Sequence, residues 1–323
     1  MDSIYTHSTT QVLRVNFKGK VFLIDVGVHF DDTSSIADLK VHLSSLFSLP
    51  QHRIRIKRGL LGLNDFQSLL PIVDELDETD SALTARDLGP QVSPRVVYVI
   101  EYLGPIFVWL AVFAHRYLFV ECSKQSHTCH TLTENHRQIL ASILWLLHYV
   151  RRAAESMFLH KFTHSTFPIK SLFKNCLYYW GFAFFIARDV FKLKKGGIPS
   201  VHDYHFVLTF FWVVCQFLNH YCHRVLRKHG DRVLKLPFKD GKPRRILPKN
   251  WVFKLCITPN YFFEVLTWIS FTGITRSIVC ALFTILGFLQ MFKWAMDKKK
   301  KLLADGSDYQ KIKKMSVIMP FLL

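Results

Sequence analysis

The sequence predicts an α+β protein in two parts. A small sheet-and-helix domain fills residues 1–95, and an all-α multi-pass transmembrane bundle fills 96–323. Three observations predict this division. Strand alternation and one helical period occupy the first ninety residues. From about residue 96, long apolar runs recur between basic loops. The charge also splits, with 10 basic and 12 acidic residues up to residue 95 but 32 basic and 12 acidic beyond it. Half of the 323 residues are hydrophobic, and 29 Phe, 11 Tyr and 7 Trp exclude a disordered chain. Seven scattered cysteines, an odd number, exclude a disulfide-stapled secreted domain. A basic excess alone would suggest nucleic acid. Bases placed between apolar runs instead point to a lipid bilayer, with no nucleic-acid partner.

The polar start, Met1 to Gln11, lacks the apolar run of a secretory signal. Val12 to Phe17 and Val21 to Val26 flank a Lys18-Gly19-Lys20 turn and predict a β-hairpin. Thr33-Ser34-Ser35 offers N-caps for a helix over Ile36 to Phe47, where Ile36, Leu39, Leu43, Leu46 and Phe47 recur at helical spacing. Pro50 follows its end. An Ile54-Arg55-Ile56 strand, a Gly59–Gly62 turn and an alternating stretch around Ala82 to Arg86 complete the domain. Hairpin, helix and short strands in that order predict a ubiquitin-like β-grasp. It lacks the Gly-Gly tail of a conjugation tag, which leaves a docking or stabilising role.

Beyond Arg95, apolar runs cover Val96 to Val120, Ile139 to Val150, Cys176 to Phe191, Tyr204 to Tyr221, Tyr261 to Phe271 and Ile278 to Trp294. Several are shorter than the roughly 20 residues a spanning helix needs, so they must recruit polar flanks or neighbours. The expectation is five to seven spans. Cys222 to Lys254 holds 11 Lys and Arg against Asp231 and Asp240, and Lys298 to Lys301 follow the last run. The positive-inside rule places both on the cytosolic side.

Ionisable groups near apolar runs are the candidate site, because they are costly there. Arg152 and Glu155 lie three apart on one helix face, with His148 four before Arg152. Asn219, His223 and Arg227 recur at spacing four, an amide, an imidazole and a guanidinium suited to a phosphate-bearing cofactor. Pro259 sets a helix boundary, and Asn260, Tyr261 and Glu264 then fall within one turn of an apolar helix. A buried phenol there can donate a proton or hold an enolate oxygen. No Gly-x-Gly-x-x-Gly, Walker loop or Gly-x-Ser-x-Gly occurs. Cys122, His127, Cys129 and His130 share a polar loop, and His202 and His205 lie three apart, but a second ligand pair in zinc spacing is missing, so no metal is expected.

The same segments carry a family resemblance. Arg86-Asp87-Leu88-Gly89 and Glu101-Tyr102-Leu103-Gly104-Pro105 are similar to the junction between ubiquitin-like domain and first span in the very-long-chain trans-2-enoyl-CoA reductases, within the wider steroid 5α-reductase family. Glu155 to Phe162, Phe173 to Phe182, Pro259 to Val265 and the terminal Pro320-Phe321-Leu322-Leu323 extend the likeness over nearly the whole chain. The resemblance implies a multi-pass enzyme of the endoplasmic reticulum membrane. It would use NADPH to reduce the 2,3 double bond of a long-chain trans-2-enoyl-CoA, beside the other fatty acid elongation enzymes. It implies Tyr261 as the catalytic tyrosine, with Lys174 and Glu101 as further essential polar residues. Asn219, His223, Arg227, Arg244, Arg245, Asn260 and Glu264 would line the NADPH site. Gly230 stands where the family usually has a second arginine, and the stretch Lys299 to Gln310 departs from the family's last cytosolic stretch. A steroid or polyprenol substrate, or a non-catalytic scaffold of the elongation enzymes, remain the alternatives.

Overall fold

The computed structural model describes residues 12–59, 61–63, 65, 67–74, 76, 83–116, 131–162, 166–192, 203–237, 244–306 and 308–320. The chain divides into two compact units. The first comprises Met1–Val92, Ser165–Ile169 and Leu236–Arg244, and the second the remainder.

In the first unit, β1 (Val12–Phe17) and β2 (Lys20–Asp25) form an antiparallel hairpin. Its two-residue turn, Lys18 and Gly19, has φ of 51° and 80°, the left-handed pair that matches the twist of the strands. α1 (Val26–His29) leads to α2 (Ile36–Phe47). Ser35 and Asp38 close a capping box at the start of α2, and Ile36, Leu39 and Leu43 are buried along one face. β3 (Ile54–Arg58), β4 (Leu61–Gly62), α3 (Leu70–Asp74) and β5 (Leu83–Asp87) follow. The sheet order is β2-β1-β5-β3-β4, with β1 and β5 parallel and the other pairs antiparallel. Alternate residues Leu13, Val15, Ile54, Ile56, Leu83 and Ala85 turn inward onto the buried face of α2. Arg53 grips Asp87 through two bonds of 3.0 and 2.7 Å, which ties β5 to the turn before β3. A two-stranded ladder joins β6 (Gln91–Val92) to β7 (Phe167–Pro168).

The second unit is helical: α4 (Pro94–Ala114), α5 (Thr131–Ala154), α6 (Ile169–Phe191, from Lys170 on), α7 (Asp203–Val233), α8 (Val252–Leu255), α9 (Pro259–Thr275), α10 (Ile278–Asp305) and α11 (Tyr309–Lys314). A π-helical turn, Glu155–Leu159, continues α5. Tryptophans knit the helices together. Trp109 and Trp145 stack at 4.5 Å, Trp145 meets Trp268 edge-on, and Trp268 meets Phe283 at 4.8 Å. Both buried indole donors are satisfied, Trp109 by Ser142 and Trp145 by the carbonyl of Pro105.

Five of the six apolar runs fall within one of these helices, and the first, Val96 to Val120, begins in α4 and ends outside the described residues. Among the described residues, however, two helices are long and apolar enough to cross a membrane, α4 with a mean hydropathy of 2.0 and α10 with 1.8. The expected five to seven spans therefore meet two by that measure. The difference has a physical origin, because α5 and α7 carry Gln138, His148, Gln216 and Asn219, buried polar groups that interrupt their apolar runs.

Candidate active site

α5, the π turn, α7 and α9 converge on a buried polar hub. At its centre is Glu155, whose carboxylate is 3 % exposed. Oε1 accepts from Arg151 at 2.8 Å and meets His220 Nδ1 at 2.8 Å. Oε2 accepts from Arg152 at 3.1 Å and meets His223 Nδ1 at 2.8 Å. Facing a carboxylate, His223 Nδ1 carries the proton and donates it. The two successive arginines reach this carboxylate at i,i+4 and i,i+3, ordinary helical spacings, and the chain then widens into the π turn, where His160 N–H bonds the Glu155 carbonyl at 2.8 Å.

A second carboxylate balances the second arginine. Glu264 on α9 accepts from Asn219 at 3.0 Å and from Trp268 Nε1 at 3.1 Å, with Arg151 Nη2 at 3.8 Å. His148 Nδ1 accepts from Gln216 at 2.9 Å, which leaves its proton on Nε2, 3.4 Å from Glu264. Asn219 links the two halves. It accepts from Arg151 at 2.9 Å and donates to the Asn260 carbonyl at 2.7 Å. Two guanidiniums and two carboxylates thus close to zero net charge, which is how buried ions are tolerated. Burial raises the Glu155 pKa, but the His223 hydrogen bond and the charges of Arg152 and Arg151 outweigh it and hold the carboxyl well below its usual range. Burial and Arg152 together push His160 down to about 3, so its imidazole is neutral.

Tyr261 sits in the first turn of α9, with its ring 6.4 Å from that of Trp294. Among the described residues its hydroxyl has no hydrogen-bond partner, whereas the hydroxyl of Tyr102 accepts from Arg152 at 2.8 Å. The side-chain oxygen of Asn260 beside it is buried and likewise unbonded. The start of α9 is held in place by the end of the chain. Ile257 and Thr258 N–H groups bond the carbonyls of Ser316 and Val317 at 3.1 Å, and Thr258 Oγ1 adds a bond of 2.6 Å to Val317. Lys299 donates to the Met315 carbonyl at 2.7 Å and steadies the same segment.

The structure therefore brings Asn219, His223, Asn260 and Glu264 into one hub, with Tyr261 on the same helical turn as the last two. Arg227 lies at its edge, donating to the Leu159 carbonyl at 3.3 Å and reaching Asp231 at 3.5 Å. Glu101 is buried in α4 and accepts from Asn175 at 2.6 Å. Lys174, one residue earlier on α6, is exposed. Arg245 is exposed and its N–H meets Asp305 at 3.2 Å, while Arg244 falls in the first unit. Nothing fills Gly230 from its own position. Lys161 crosses there, 4.0 Å from where a Cβ would stand, and pairs with Asp231. Sequence reasoning missed Arg151, His220 and Tyr102 as parts of the site. The doubled arginine at the end of α5 was the available signal, but only the contacts of both with Glu155 show that they point inward.

Glu155, His160 and His223 present ligand atoms within 4.8 Å of one another, the one such trio among the described residues. The two guanidiniums on Glu155 would face a divalent cation at close range, so this donor set does not suit a metal. The loop with Cys122, His127, Cys129 and His130 lies outside the described residues, as does His202. His205 meets the Tyr204 hydroxyl at 3.1 Å.

Comparison with known proteins points in one direction. A family model described as 3-oxo-5-alpha-steroid 4-dehydrogenase matches residues 165–323. The chain is 31% identical over 300 residues to a very-long-chain enoyl-CoA reductase of Dictyostelium discoideum, covering 90% of this chain and 93% of that protein. It is 35% identical over 255 residues to a probable very-long-chain enoyl-CoA reductase of Caenorhabditis elegans, covering 77% and 78%. A trans-2,3-enoyl-CoA reductase-like protein of Mus musculus matches at 28% over 323 residues, covering 98% and 85%.

Proposed function

The chain belongs to the very-long-chain enoyl-CoA reductase family, and from that premise we propose that it reduces the 2,3 double bond of a long-chain trans-2-enoyl-CoA with NADPH. The observation that carries this reading is the unbonded phenol of Tyr261, held at the head of α9 beside a charge-balanced hub. A phenol that bonds nothing in the protein is free for a substrate oxygen.

The residues fit a nicotinamide dinucleotide. Asn260 offers a buried amide oxygen with no partner, Asn219 and His223 are held rigidly by the hub, and Arg227 stands at its edge. When bound, NADPH supplies a hydride to the β-carbon of the enoyl thioester. The negative charge that develops on the thioester oxygen needs a donor, and Tyr261 O–H is the donor in place; one such contact is worth about 3–4 kcal/mol of barrier. The same phenol can pass its proton toward the α-carbon, which completes the reduction. Glu264 and Glu155 do not act as acids in this reading, because each accepts from donors that keep it ionised.

α4 and α10 anchor the second unit in a membrane, and we place the remaining long helices in a multi-pass bundle of the endoplasmic reticulum. Its basic segments face the cytosol, where acyl-CoA is available. The first unit, with a parallel central strand pair crossed by one helix, is read as a ubiquitin-like β-grasp over residues 1–95 that docks or stabilises. The reaction would serve as the last reductive step of acyl-chain elongation, alongside the other elongation enzymes. The test is NADPH oxidation by detergent-solubilised protein with a C18–C20 trans-2-enoyl-CoA, run beside Tyr261→Phe. Turnover that disappears in the variant supports the reading; turnover equal in both removes Tyr261 from the chemistry, and none in either folded protein removes the substrate.

A further inference from the structure

Further along α7 than the hub residue His220, Tyr221, Arg224, Lys228 and Arg232 face Lys249 and Asn250 across a cavity of about 330 Å³. The three α7 bases recur at spacing four, so they rise in a row roughly 6 Å apart along the helix. The row Asn219–His223–Arg227 is offset from them by one residue, about 100° around the helix. The two rows therefore point in different directions, although His220 of the hub begins the same row one turn before Arg224. Among the described residues, none of these four cations forms an ion pair with a carboxylate. Asp231, the one acid on this stretch of α7, is taken by Lys161 and Arg227.

The facing wall is fixed. Asn250 donates to the Tyr221 hydroxyl at 3.0 Å and accepts from the Val252 N–H at 3.2 Å. His229 Nε2 meets the Ile246 carbonyl at 2.8 Å. Tyr221, which lines the cavity, lies near-parallel to Trp251, ring centres 6.2 Å apart. Four cations around one cavity, with no carboxylate paired to them among the described residues, repel one another, and an anion relieves that repulsion. Arginine forks and an aromatic platform together suit a nucleotide phosphate with its base. The volume is at the small end of ligand pockets, enough for one nucleoside phosphate but not for a dinucleotide.

We propose that this groove docks the 3′-phosphoadenosine end of the acyl-CoA substrate, leaving the Asn219–His223–Arg227 row of α7 to the reducing cofactor. The proposal rests on the enoyl-CoA reductase reading for the identity of the ligand, while the groove and its charges stand without it. A basic groove beside a bilayer could meet the phosphate of an anionic lipid instead, so the test separates the two sources.

The probe is adenosine 3′,5′-bisphosphate, titrated calorimetrically into full-length protein in detergent. Binding is expected in the parent, weakened at least about tenfold in Lys228→Glu/Arg232→Glu. Lys249→Glu, on the facing segment, provides an independent second variant, and melting curves verify that each is folded. The ratio of KM for the enoyl-CoA to KM for the matching enoyl-pantetheine thioester should rise by a similar factor in both variants. Parent protein that binds the bisphosphate in this way but reduces nothing retains the groove and overturns the reductase reading. No bisphosphate binding by the parent overturns the proposal, as does binding that neither variant weakens. Binding of short-chain phosphatidylserine by the parent that both variants weaken, with no response to the bisphosphate, assigns the groove to lipid and equally overturns it.

Discussion

Glu155→Gln tests whether the hub is an anchor or an acid. In the protein as it stands, four donors from Arg151, Arg152, His220 and His223 converge on the two carboxylate oxygens within 3.1 Å. The substitution turns one oxygen into an amide N–H₂ that cannot accept, and removes the charge that offsets two guanidiniums only 18 % and 16 % exposed. Removing one partner of a buried ion pair costs about 3–5 kcal/mol, because the other charge stays buried without compensation. At about 2–4 °C per kcal/mol for a unit of this size, melting should fall by roughly 6–20 °C. Thermal unfolding in detergent, followed by near-UV circular dichroism and by a thiol-reactive dye, reads this directly, since Cys215, Cys222, Cys256 and Cys280 are buried until the helices separate. Arg151→Gln should not add its full cost to that of Glu155→Gln, since both break the same contact. A melting temperature that moves by less than about 2 °C while turnover vanishes would refute the reasoning and make Glu155 a chemical participant.

Tyr261→Phe should reduce turnover by about 10²–10³ while leaving the melting temperature within a degree or two, because its hydroxyl bonds nothing among the described residues; a melting shift comparable to that of Glu155→Gln would mean the phenol is structural. Gly104→Ala places a Cβ 1.7 Å from Trp180 Nε1, so the indole must shift, at about 1–3 kcal/mol, and Trp180→Ala in the same chain should restore the loss. In the first unit, the hydrogen bonds and charge of Arg53 hold the Asp87 carboxyl below its ordinary value. A depressed carboxyl contributes stability that is complete above the unfolded pKa of about 3.9 and is lost as pH falls through the folded one. Denaturation between pH 5 and pH 2.5 should therefore show a loss that Asp87→Asn lessens; identical pH slopes in the two proteins would exclude it.

Local order was legible where one period dominates. The hairpin around Gly19, the helix from Ile36 to Phe47 and the strands at Ile54 and Leu83 all follow from alternation or helical spacing within a dozen residues. The parallel pairing of Val15 with Leu83 was not, because it joins segments nearly seventy residues apart and neither strand records its partner. The same contrast runs through the site. Spacing four on α7 correctly placed Asn219 and His223 on one face, and one turn of α9 gathered Asn260 with Glu264. Spacing three likewise paired Arg152 with Glu155, but said nothing of Arg151, which regular α-helix would also allow at i,i+4. Which of the two spacings is used is not written in the sequence, and the structure uses both on the same carboxylate. On α6 a single residue separates Asn175, bonded to Glu101, from Lys174, which is exposed, and a step of about 100° is the whole difference.

The stretch Lys299 to Gln310, which departs from the family pattern, acquires a physical meaning from what it holds. Lys299 secures the carbonyl of Met315, and the two residues that follow Met315 receive the N–H groups of Ile257 and Thr258. Those groups fix where α9 begins, and Tyr261 is three residues beyond. The Oγ1 of Thr258 adds a third bond to the same strand-like segment, so the phenol's position is set from outside its own helix. A proton donor is useful only if it does not have to be ordered during the reaction. Charge and hydrogen bonding from the chain's last described residues supply that order, while the hub beneath α9 fixes the opposite side of the same turn through Glu264. Tyr261 is thereby constrained from both sides and, among the described residues, left unbonded only at its hydroxyl, the arrangement that the proposed thioester reduction would require of its donor.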